Sequence, residues 1–69
     1  MRRVIVYQDE DGMWITEVPS LSGCGSEGHT REEALANTKD AIQLWIDSAL
    51  EDGEPVPDDF PVFVEDLVV

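Results

Sequence analysis

The apolar positions of the chain fall into two different periods, and the change from one to the other divides it. RVIVYQ (residues 3–8) is rich in β-branched and aromatic side chains and too short for a helix. The acidic cluster DEDG (residues 9–12) ends in glycine, and MWITEV (residues 13–18) is a second run of the same kind, closed by Pro19. Two such runs around a short glycine-containing loop predict an antiparallel hairpin. Trp14, Thr16 and Val18 then share one face, and Met13, Ile15 and Glu17 the other. Residues 19–28 carry Pro19, Gly23, Gly25 and Gly28, which predicts a loop and then a short third strand around residues 24–26.

From Thr30 the period becomes helical. Ala34, Leu35, Thr38, Ala41, Ile42, Trp45, Ile46 and Ala49 recur at three- and four-residue spacing, with Leu50 at the margin of the stripe. TREE (residues 30–33) is a capping box, in which the Thr30 hydroxyl accepts from the Glu33 N–H and the Glu33 carboxylate reaches back to the cap residue. Gly53 is the natural stop, and Pro55 and Pro57 prevent continuation. VFVEDLVV (residues 62–69) returns to strand character. The predicted order is β-β-β-α-β, an α+β domain covering residues 1–69. The helix serves as a right-handed crossover that lays the last strand beside the first. This gives a small mixed sheet, order 3-2-1-4, with one helix on one face and the other face uncovered.

Composition sharpens this picture. A chain of 69 residues is a single small domain, the size at which disulfides, metals or self-association add stability. One cysteine excludes an internal disulfide, and Cys24 with His29 falls short of the four ligands of a structural zinc site. Self-association is therefore the expected device, with a well-packed monomer the alternative. No apolar run is long enough to span a membrane, and MRRVIVYQ lacks the long apolar region of a secretion signal, so the expected location is the cytoplasm.

Sixteen acids stand against four bases, a net charge of −12, and nine of the acids follow Lys39, the last base. Such a field repels phosphate backbones, which argues against direct nucleic-acid binding. It attracts a basic protein and speeds the encounter. Glu51, Asp52 and Glu54 also sit at the negative end of the helix dipole, where cations are favoured. With Asp58 and Asp59 they are the candidate partner-binding residues.

Reactive chemistry finds little support. Cys24 and His29 are five residues apart in a glycine-rich turn, with no third group assigned to orient the imidazole, and a packed thiol is the stronger reading. A β-β-β-α-β order is the first half of a ribonuclease-H-like fold, whose enzymes bind divalent cations through strand carboxylates. Here the first strand core, VIVY, has no acid, and Glu33 is committed to capping. EDGEPVPDD lacks the alternate-residue spacing of a calcium loop and holds two prolines. No catalytic, cofactor-binding or metal-binding residue is assigned.

Pro19, Leu21, Gly23, Cys24, Ser26, Gly28, Thr30, Glu32, Glu33, Ala34 and Asn37 form an ordered corner, and Gly53, Pro55 and Pro57 a post-helix turn. Together they resemble the HicB-like antitoxin family. The resemblance implies a partial ribonuclease-H-like fold without nuclease activity, and self-association as a homo-dimer or homo-tetramer. It also implies a partner, a small basic toxin of the HicA type that cleaves mRNA. Longer members of that family add a C-terminal DNA-binding domain. Here the predicted fourth strand ends the sequence, so direct repression of an operon is not expected. The competing reading is a stand-alone oligomeric scaffold or regulatory domain with no toxin partner.

Overall fold

The computed structural model describes residues 1–69. It contains three strands and a helix, β1 (Ile5–Gln8), β2 (Trp14–Glu17), β3 (Gly25–Gly28) and α1 (Arg31–Glu51). The strands form one antiparallel sheet in the order β1-β2-β3. Asp9 makes the first turn, its carboxylate accepting the N–H of Asp11 at 3.0 Å and of Met13 at 2.9 Å. The register pairs Val6 with Thr16 and Tyr7 with Ile15. Trp14, Thr16 and Val18 therefore share a face, as the alternation predicts, and that face meets α1. Thr16 and Val18 are both 2% exposed there.

The corner between β2 and β3 turns in two steps. The Leu21 N–H donates to the Val18 carbonyl and the Cys24 N–H to the Leu21 carbonyl, each at 3.0 Å. Leu21 is thereby driven inward, where it forms the core with Val18 and Cys24. Val4, Ala41, Ile42, Trp45, Ile46 and Val56 pack around these three. Only 9 of 69 residues are buried, so this core is small even for the chain's length.

The Thr30 hydroxyl accepts from the Glu33 N–H at 3.0 Å and starts the helix. The Glu33 carboxylate accepts from the His29 N–H at 3.2 Å, so the box closes one residue before the cap rather than on it. At the other end Gly53 has φ +71°. Its N–H donates to the Leu50 carbonyl and the Glu54 N–H to the Ala49 carbonyl, the paired bonds of a Schellman stop. The stripe is narrower than its periodicity suggests. Ala34, Thr38 and Ala49 are buried, while Leu35 and Leu50 are 36% and 63% exposed.

The predicted fourth strand does not form. Residues 62–69 pair with nothing, and the sheet is antiparallel throughout rather than mixed in the order 3-2-1-4. Strand character reflects packing against neighbours more than a property of the backbone. Here the segment meets neither the edge of β1, which stays unpaired, nor a second layer on the outer sheet face. The chain is nevertheless held as far as residue 59. The Arg2 guanidinium donates to the Pro57 carbonyl at 2.8 Å, and that of Arg3 to Asp59 Oδ2 at 2.9 Å.

Candidate partner-binding groove

The corner and the second half of α1 enclose a groove of about 430 Å³. Gly23, Cys24 and Gly25 form one wall, and Ala41, Leu44, Trp45, Ser48 and Ala49 the other. The helical positions recur at steps of three, one, three and one, a single face of α1. The Trp45 Nε1–H donates to the Ser22 carbonyl at 3.0 Å and fixes the indole against the corner. Leu44, 69% exposed, stands open on the wall. Asp52 and Glu54 close the end of the groove where the helix carbonyls point outward. No basic residue lies in the last helical turn to offset them.

Cys24 is buried in the groove wall, and its thiol pKa is raised by that burial, with the Arg2 charge pulling more weakly the other way. At neutral pH it is a thiol, which is a poor nucleophile. His29 is exposed at the far end of β3, and no hydrogen bond joins it to Cys24. No group of three or more His, Cys, Asp or Glu side chains is placed to hold a metal ion. What the groove offers is apolar area beside fixed negative charge. That combination accommodates an apolar side chain flanked by Lys or Arg.

The corner residues have structural roles. Gly28 lies directly under the helix start, where an added Cβ would sit 2.5 Å from the Ala34 nitrogen. The Asn37 side-chain amide donates to the Glu27 carbonyl at 2.9 Å and covers the outer edge of β3. The Ser26 N–H donates to the Thr16 hydroxyl at 2.9 Å. Pro19 is half-buried at the start of the turn.

The five predicted partner-binding acids separate. Asp52 and Glu54 line the groove, while Glu51 and Asp58 are exposed outside its lining. Asp59 is engaged within the chain, accepting from the Arg3 N–H at 3.1 Å and pairing with the Arg3 guanidinium. The Arg3 N–H bond, helped by the Phe60 N–H and the Arg3 charge, holds the Asp59 carboxyl below the ordinary carboxylate range. Sequence reasoning missed Leu44. Its signal was a large apolar residue outside the buried stripe, between Gln43 and the stripe residue Trp45.

A small three-stranded antiparallel sheet with one covering helix, acidic and with an open apolar groove, defines the class as a small α+β domain. A family model described as the HicB-like antitoxin of bacterial toxin–antitoxin systems matches residues 3–68, and the chain belongs to that family. A UPF0150 protein of Thermoplasma acidophilum is 45% identical over 56 residues, which cover 81% of each chain. A UPF0150 protein of Synechocystis is 39% identical over 66 residues, covering 96% of this chain and 76% of the relative. Among solved structures, the N-terminal domain of the Burkholderia pseudomallei antitoxin HicB superposes with a TM-score of 0.74 at 29% identity. That match covers 86% of this chain and 69% of the other. No helix here is long and apolar enough to cross a membrane.

Proposed function

We propose that this chain is a non-enzymatic cytoplasmic antitoxin. It binds a small basic mRNA-cleaving toxin of the HicA type and masks that toxin's RNA-binding surface. The observation that carries this reading is the acid-ended apolar groove in a member of an antitoxin family with net charge −12. A protein surface built to hold RNA is basic, and the same charge that draws RNA draws this chain. Attraction brings the two together, and an apolar side chain of the toxin seated against Leu44 and Trp45 slows their separation.

The test is co-expression with any small basic protein encoded beside this one. Rescue of growth and a complex that co-purifies are expected. Absence of binding to that neighbour, even at low salt, overturns the proposal. It would favour the second reading, an oligomeric scaffold, for which the exposed Phe63, Val64, Leu67, Val68 and Val69 are the motivating feature.

A further inference from the structure

One edge of the sheet is open. β1 pairs only with β2, and the Asp9 N–H to Met13 carbonyl bond sets the phase of that ladder. Ile5, Tyr7 and Asp9 turn their main-chain groups toward β2, so the N–H and C=O of Val6 and Gln8 point outward. At the opposite edge Asn37 occupies the Glu27 carbonyl and α1 packs against β3. An uncovered edge strand is a template for another strand.

The same chain carries a strand with no place to go. Phe63, Val64, Leu67, Val68 and Val69 are each 81% exposed or more. A compact chain of this length has a radius of gyration of about 11 Å, whereas this one measures 13.4 Å and extends 42 Å along its longest axis. The excess reflects the projecting segment after residue 59. Contiguous exposed apolar surface of this kind marks an interaction site.

Charge selects the partner. Only four bases are present, and the Arg3–Asp59 pair is the single salt bridge. Arg2, at the threshold of β1, donates to Ser20 Oγ and the Pro57 carbonyl but meets no carboxylate. Glu65 and Asp66, the acids of the projecting segment, likewise meet no cation. An open edge with an unpaired arginine and a loose apolar strand with unpaired acids are complementary, and both belong to this molecule.

We propose that residues 62–69 pair with the open edge of β1 in a second copy of this chain, each copy donating one strand and receiving one. The exchange is self-complementary and closes at two copies. It adds a fourth strand to each sheet without requiring a toxin, so it stands independently of the function proposed above.

The experiment replaces Phe63 with the photoreactive p-benzoylphenylalanine in the full chain, mixed from nitrogen-15-labelled and unlabelled protein and irradiated. A covalent dimer is expected, containing cross-links of mixed isotope mass into the peptide bearing residues 4–8. Products confined to one chain, dimers linked elsewhere, or products formed only with a basic partner protein overturn the proposal. Two variants give an independent measure by sedimentation. Val64→Asp alters an exposed side chain, and Gln8→Pro removes an outward-pointing N–H while leaving the bonds to β2 in place. Each is expected to weaken the dimer at least tenfold with an unchanged circular dichroism spectrum. A dimer of unchanged affinity in both, or a wild-type protein that is monomeric throughout, is the contrary result.

Discussion

At Gly28 the helix comes so close to β3 that there is no room for a side chain. A Cβ would meet the Ala34 nitrogen, the Ala34 Cα and the Glu33 carbonyl carbon within 3.0 Å, all of them backbone atoms that cannot rotate away. Gly28→Ala must push the first turn of α1 off the sheet, an overpacking cost of about 1–3 kcal/mol. Urea denaturation should show the midpoint falling with the slope unchanged. Thr38 makes the companion test from the same interface. Its hydroxyl donates to the Ala34 carbonyl at 2.6 Å and contacts the Thr16 hydroxyl at 2.5 Å, so Thr16 supplies the proton between them. Thr38→Val should cost only about 1 kcal/mol, because the Thr16 proton can turn to the Ser26 carbonyl at 3.2 Å. The two sites differ in how far the sequence revealed them. Gly28 stands in a run of glycines that marks a corner. Thr38 reads as one more position on an apolar stripe, since its partner lies 22 residues away and depends on a register that no local pattern encodes.

The elements divide in the same way. Hairpin, corner and helix are legible because their signals are local: alternation around DEDG, an Asx-type turn at Asp9, and a cap and a glycine stop that bracket one helix. The last segment carries an equally clear strand pattern and is not a strand, because strand character is realised only against a neighbour, and this segment projects away without pairing to the open edge of β1. The tie just before it was also hidden, since Arg3 and Asp59 are 56 residues apart. That tie has a pH signature. Asp59 is held below the unfolded carboxylate value of about 3.9, so the folded state prefers the ionised form. Its contribution is fully present above the unfolded pKa and is lost as pH falls through the lower, folded one. Thermal midpoints measured from about pH 6 down to pH 2.5 should therefore decline less steeply at the acid end for Asp59→Asn than for the wild type. The variant should also start lower near neutrality, by a small margin, because the pair is partly exposed and screened. Parallel curves for the two proteins would remove Asp59 from the account of acid stability.

On the scale of the molecule the dominant property is charge, and it was the most legible of all, since counting residues gives −12. Its distribution was not, because Asp59 proved to be spoken for and only Asp52 and Glu54 reach the groove. Changing Glu51→Gln, Asp52→Asn, Glu54→Gln and Asp58→Asn together moves the net charge from −12 to −8 and leaves every apolar contact of the groove in place. If the acids steer a basic partner, the association rate should fall about tenfold at low ionic strength. The difference should shrink as salt rises and the screening length drops to about 8 Å near 0.15 M. Leu44→Ala should do the reverse, leaving association nearly unchanged and speeding dissociation, since an exposed leucine adds contact area but no long-range field. Surface plasmon resonance over a salt series separates the two effects. An association rate insensitive to the four substitutions at low salt would mean that these carboxylates merely keep the chain in solution. The partner would then be held by the apolar wall alone.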